Sequence, residues 1–285
     1  MVENNNNMER LKNIATQVRR DSLRMVHAVQ SGHPGGSLGC ADFMVGLFFE
    51  VMNCQPENFT ISGKNEDMFF MSNGHITPVL YSTMARRGYF NVSELATFRK
   101  LHTRLQGHPS VVHGLPGIRA ASGSLGQGIS IALGACQSKK MDGDKNWVYV
   151  LTGDGELQEG QNWEALMYAG AKRVDNIILT VDYNRLQIDG AVEQVMDLGN
   201  LADKFRSFMW DVIEGEGNDM EQVIANLSHA KQLTGKEKPV AFLMHTKMGC
   251  GVDFMENKNK FHGTPLDDEQ LKLALSQLEE TIGDY

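Results

Sequence analysis

Asp154 lies between two glycines in Gly153-Asp154-Gly155-Glu156, directly after the apolar run WVYVLT, and Asn184 follows a second run, NIILTVD, 184 − 154 = 30 residues later. A carboxylate and an amide oxygen at neighbouring strand ends are hard ligands suited to Mg²⁺ or Ca²⁺. The flanking glycines leave backbone N–H groups free to approach phosphate oxygens. Asp-Gly alone is more often a turn; the order strand, GDG, helix, strand, Asn is what points to a metal and phosphate site. Histidines recur beside glycine in a similar way, in Ser31-Gly32-His33-Pro34, Asn73-Gly74-His75, Gly107-His108-Pro109 and His262-Gly263. Imidazole titrates near neutrality and can donate to hydroxyls or shuttle a proton, while taken singly each of these histidines is as readily structural. His27, His102, His113, His229 and His245 are read as structural.

These residues need a frame that brings strand ends together. Apolar runs over 68–72, 147–152, 176–182, 210–214 and 240–246 read as buried strands. Helical spacing is found over 8–30, 78–87, 93–101, 125–139, 161–171, 201–208, 219–233 and 267–281. Strands apolar along their whole length and alternating with helices predict an α/β fold, a mostly parallel sheet with helices on both faces. Ligands of such sheets sit outside the carboxyl ends of the strands. That is where the glycines, carboxylates, amide and histidine fall. Residues 1–7, rich in asparagine, are expected to be a disordered tail, and 8–285 a single domain.

Composition excludes several alternatives. The 285 residues are 41% hydrophobic, enough for a full core. A net charge of −8 argues against nucleic acid as a partner. No apolar run approaches a membrane span and the first ten residues lack a signal peptide's apolar core, so no membrane is expected and a cytoplasmic location is. Cys40, Cys54, Cys136 and Cys250 are far apart with no CxxC spacing, which fits reduced thiols. Glycine is plentiful, 29 residues against 7 prolines, and clusters between apolar segments as if backbone had to approach something closely.

The GDG and Asn pair resembles the diphosphate-binding half of thiamine-diphosphate enzymes, and the surrounding blocks resemble one family among them, transketolase. Gly153 to Gly160 (GDGELQEG), Asn184 to Gly190 (NRLQIDG), SGHPG at 31–35, SNGH at 72–75, GHP at 107–109, GSLGQG at 123–128 and FHG at 261–263 follow in the family's order, so the resemblance covers about residues 11–265. It implies Asp154, Asn184 and the Leu186 carbonyl as metal ligands for Mg²⁺ or Ca²⁺, with Gly155 and His262 on the diphosphate of thiamine diphosphate. It places Gly123 and Leu125 on the aminopyrimidine side and Ile188 as the wall that bends the cofactor. Gly153, Ser124, Glu156 and His75 belong to the same cofactor-binding segments, although a surface-facing helix glutamate is the ordinary reading of Glu156. His33, His75, His108 and His262 would line the sugar channel as catalytic residues. Glu159 and Glu164 would couple two active sites near an interface.

The implied reaction moves a two-carbon ketol unit from a ketose phosphate to an aldose acceptor. The family's activating glutamate and phosphate-holding arginines lie in a second, pyrimidine-binding domain, and the sequence ends at Tyr285 soon after the His262 block. The chain is therefore expected to be one subunit of a split transketolase, inactive until joined to a separate C-terminal-type subunit, in an α2β2 assembly. Gly36-Ser37 in place of the usual Ala-Pro, Tyr183 before Asn184, and His113 with Arg119 in the 110–121 segment depart from the pattern and leave a non-standard sugar open. The α-subunit of a 2-oxo-acid dehydrogenase is a further alternative that His33 and His75 count against. A non-catalytic module that keeps the cofactor without turnover is another.

Overall fold

The computed structural model describes residues 2–285, with side chains from residue 6 onward. Five parallel strands form the central sheet: β1 (Met68–Met71), β2 (Val148–Gly153), β3 (Ile177–Tyr183), β6 (Asp211–Glu216) and β7 (Val240–His245), in the order β1-β2-β3-β7-β6. A two-residue hairpin, β4 (Leu186–Gln187) with β5 (Gly190–Ala191), follows β3. Ten helices accompany them among the described residues: α1 (Val2–Val29), α2 (Pro34–Gly39), α3 (Ala41–Gly46), α4 (Thr77–Arg87), α5 (Gly128–Met141), α6 (Gly160–Ala171), α7 (Val192–Met196), α8 (Leu201–Ser207), α9 (Met220–Leu233) and α10 (Asp268–Gln277).

Successive strand side chains point to opposite faces, and each face is covered. Phe69, Tyr149, Leu151, Ile178 and Phe242 pack with α1, α3, α4 and α9. Phe70, Val150, Leu179, Val181 and Leu243 pack with α5, α6 and α8. The central strands therefore read as unbroken apolar runs, and the expected α/β architecture is what forms. A third cluster, including Leu38, Met255, Phe261 and Leu278, ties α2 and α10 to the segment that carries His262.

Two expectations need correction, and one helix was not expected. Helix α1 begins at Val2, so the tail expected over 1–7 is helical from residue 2, with Met1 outside the described residues. Extending a formed helix avoids the cost of nucleation, which outweighs asparagine's modest propensity, and Asn7 donates to Glu50 Oε2 at 3.1 Å. The helix expected over 93–101 is only a 3₁₀ segment, Val92–Thr97. Arg99 and His102 adopt positive φ and turn the chain back toward Gly107 and His108. Conversely, 34–51 is helical although its glycines disfavour helix. Their bare faces let it pack tightly: a Cβ on Gly39 would lie 2.9 Å from the Lys247 carbonyl oxygen.

Candidate active site

The carboxyl ends of β1, β2, β3 and β7 open into a cavity of about 350 Å³. Its floor is built on Asp154, 1% exposed at the end of β2. One carboxylate oxygen accepts from Gly155 N at 2.7 Å and the other from Arg185 N. The second bond depends on Arg185 taking the left-handed conformation (φ 61°), which turns the chain sharply after β3. Burial, followed by the neighbouring charge of Asp182, pushes the Asp154 carboxyl up to about 8, against the two backbone donors that lower it.

Asn184 Oδ1 accepts from Leu186 N at 2.9 Å, and its Nδ2 donates to Asp182 Oδ2 at 3.0 Å. Asp182 also accepts from Thr246 Oγ1. The buried Asp182 carboxylate therefore holds the Asn184 amide nitrogen and leaves its oxygen to the Leu186 N–H. Burial raises its own pKa. Among the described residues no three His, Cys, Asp or Glu side chains converge to cage a metal. A cation seated here would need oxygens from an amide, a main-chain carbonyl and the ligand itself, which is how Mg²⁺ is commonly held on phosphates. Gly153, whose added Cβ would meet nothing closer than 4.0 Å, leaves the cavity beside Asp154 open to such a ligand.

Three histidines form another wall. The His33 and His75 ring centroids are 4.8 Å apart, His33 and His262 5.5 Å, and His75 and His262 5.2 Å with the rings stacked. Each comes from a different segment: His33 caps the start of α2, His75 follows β1, and His262 ends a 3₁₀ turn, Asn259–His262. Burial lowers the pKa of all three, and His33, further repelled by His262, Arg99 and His108, falls to about 4. They are neutral at pH 7 and can both accept and donate hydrogen bonds. His33 Nδ1, although buried, has no partner, and Asn73 Oδ1 is orphaned in the same cavity. Orphaned buried polar atoms at a concave site indicate a missing hydrogen-bonding ligand.

The depressed pKa of His33 has a sign. Ordinarily near 6.5 and folded near 4, it binds its proton in the unfolded chain first. Its contribution to stability is full above about pH 6.5 and falls as pH drops toward 4. Melting temperature against pH should therefore flatten over that window in His33→Gln; an unchanged slope would contradict the buried neutral imidazole.

Gly123 shows why the 123–128 loop needs glycine: φ is 123°, and a Cβ there would lie 2.5 Å from the His108 ring. Gly123, Leu125, Gly153, Gly155, Leu186, Ile188 (63% exposed) and Glu159 line the cavity together with the histidines, His108 included. His108 is solvent-exposed at the rim and outside the three-ring cluster. Ser124 and Glu164 are not brought in. Ser124 is exposed and lines no part of the cavity, while Glu164 lies on an outer depression with Ser130, Gln137 and Tyr168. Glu156, read as surface-facing, is instead 3% exposed. A 3₁₀ turn, Gly155–Gln158, rather than the α-helix rolls its side chain inward.

Asp182, Asn73, Gln158 and Gln187 line the cavity although sequence reasoning did not select them. Asp182 stands two residues before Asn184, and the strand's period of two was the available signal. Arg119, weighed as a residue that could set specificity, has its side chain buried in the ion pair with Glu66 and over the Phe59 ring. It is absent from the cavity.

Comparison with known proteins agrees with this geometry. Residues 11–280 match the family model "Transketolase, thiamine diphosphate binding domain". A 6-deoxy-6-sulfo-D-fructose transketolase subunit of Clostridium sp. (strain MSTE9) is 36% identical, across 95% of this chain and 96% of that protein. An apulose-4-phosphate transketolase subunit of Phocaeicola vulgatus is 35% identical across 93% and 92%. The crystal structure of Campylobacter jejuni transketolase superposes with a TM-score of 0.86 at 33% identity, covering 94% of this chain but 42% of that one. The chain thus spans about two fifths of the solved transketolase it matches. By its matched domain, its relatives and its fold, the chain belongs to the transketolase family, in which it corresponds to the thiamine diphosphate-binding domain.

Proposed function

We propose that this chain is the diphosphate-binding subunit of a two-chain transketolase that transfers a two-carbon ketol unit from a ketose phosphate to an aldose acceptor. The carrying observation is one cavity with two walls, the Asp154 and Asn184 turn on one side and the neutral cluster His33, His75 and His262 on the other. Asp154, Asn184 and the Leu186 carbonyl would hold Mg²⁺ or Ca²⁺ against the diphosphate. Gly153 and Gly155 would let the diphosphate approach the backbone. Thiamine diphosphate, when bound, supplies a nucleophilic carbon and an electron sink for breaking a C–C bond beside a carbonyl. The neutral histidines orient the sugar hydroxyls, and one of them takes and returns the hydroxyl proton.

Among the described residues lining the cavity there is no lysine or arginine. A sugar's anionic end must then meet cations from elsewhere, which supports a separate pyrimidine-binding subunit, most simply in an α2β2 assembly. Among the described residues no helix is long and apolar enough to cross a membrane. The four cysteines are all free, which supports a reducing, cytoplasmic setting.

A modified ketose is the second version of this reading. It is favoured by the two subunit relatives, one named for 6-deoxy-6-sulfo-D-fructose and the other for apulose 4-phosphate. The test mixes the chain with a pyrimidine-binding subunit, thiamine diphosphate, Mg²⁺, xylulose 5-phosphate and ribose 5-phosphate. Glyceraldehyde 3-phosphate is expected only on mixing. Turnover by the chain alone would refute the split. No release from the mixture, with turnover of 6-deoxy-6-sulfo-D-fructose or apulose 4-phosphate instead, would replace the standard donor with a modified one.

A further inference from the structure

Glu156 lines the cavity, but its buried carboxylate has no acceptor position left for a ligand, because all four are taken. Oε1 accepts from Ser72 Oγ and, at 2.8 Å, from Gly126 N. Oε2 accepts from Thr152 Oγ1 at 2.7 Å and from Gly153 N at 3.2 Å. Ser72 Oγ in turn accepts from Gly128 N at 3.1 Å, and the Glu156 carbonyl accepts from Asn162 Nδ2 at 2.6 Å. These bonds reach three separate stretches of chain. Ser72 leads into Asn73 and His75, Gly126 closes the loop of Gly123 and Leu125, and Gly153 precedes Asp154.

We infer that Glu156 is a positioning residue: one buried carboxylate sets the spacing between the His75 segment, the 123–128 loop and the Asp154 turn, and thereby the affinity for thiamine diphosphate, without touching it. This rests on the cofactor reading above. The requirement for a carboxylate follows from the donors. Each oxygen faces one hydroxyl, which can rotate, and one backbone N–H, which cannot. In Glu156→Gln the volume is kept, but the amide NH₂ must face either Gly126 N–H or Gly153 N–H whichever way it is turned. One of the three segments is pushed away, although the hydrophobic core is untouched.

The test uses the full chain assembled with a pyrimidine-binding subunit, with thiamine diphosphate and Mg²⁺ as the probe. Glu156→Gln should remain folded by circular dichroism well below its melting temperature. Its dissociation constant for thiamine diphosphate should rise about 10- to 100-fold, the range typical when a group supporting a ligand site is lost. Amide exchange should quicken at Gly126 or Gly153 in the free chain. A merely structural role would lower the melting temperature and leave the affinity of the folded protein unchanged, and that result overturns the inference. Should the Gln variant fail to fold, Ser72→Ala decides: it removes one arm, and an unchanged dissociation constant overturns the inference equally. Wild type that binds no thiamine diphosphate refutes the cofactor reading instead, so the two failures are distinguishable.

Discussion

Asp154→Ala should lower the affinity of the assembled enzyme for Mg²⁺ and thiamine diphosphate by at least about 100-fold, in line with the ~3–5 kcal/mol typical of breaking a buried charge pair. A divalent cation seated at this turn needs anionic oxygen from the protein as well as from the diphosphate, and each oxygen of Asp154 accepts a single backbone N–H, which leaves a lone pair on each for the cation. Glu156 has all four acceptor positions taken, and Asp182 is turned to Thr246 and Asn184. An amide and a carbonyl oxygen supply no compensating charge. The substitution also strands the backbone N–H groups of Gly155 and Arg185, each at ~1–3 kcal/mol if left dry. Part of the loss is therefore disorder of the turn itself. Calorimetric titration of the variant, with its fold verified by circular dichroism, is the measurement. Affinity equal to wild type would remove Asp154 from the ligand set.

His33→Ala should act on the opposite wall, with kcat reduced by about 10²-fold or more while the dissociation constant for thiamine diphosphate stays within a few-fold of wild type. The split follows from geometry. His33 packs on His75 and His262 and has no hydrogen bond to the Asp154 or Asn184 side chains. Its partnerless buried Nδ1 is available for a substrate hydroxyl. Steady-state kinetics and cofactor titration on one preparation distinguish the roles. If cofactor affinity collapses and kcat at saturation is unchanged, His33 is a structural support for its neighbours.

Much of this was legible in the sequence because the relevant information is local. The period-two burial of both faces in β2, β3 and β7 leaves continuous apolar runs, so the parallel sheet declares itself. Gly153-Asp154-Gly155 and Asn184 follow those runs directly, and chain direction alone places them at the ligand-bearing edge. The helix at 34–51 was hidden, since its glycines are chosen for packing against Lys247 and Met248, far along the chain. Glu156 was hidden for a related reason. In the chain it is a glutamate after a glycine, and its donors Ser72 and Gly126 approach only when the sheet and the 123–128 loop are assembled.

The sequence by itself determined the family, the order of chemistry-bearing residues along the chain and the types of ligand they suit, all consequences of residue identity and short spacing. The tertiary structure alone decided which candidates share a cavity. It stacked His75 on His262, moved His108 to the rim and Glu164 to an outer face, and buried Arg119 against Glu66. It also decided protonation, because desolvation and neighbouring charges, which hold the histidines neutral and lift the Asp154 carboxyl, exist only between segments that folding has brought together.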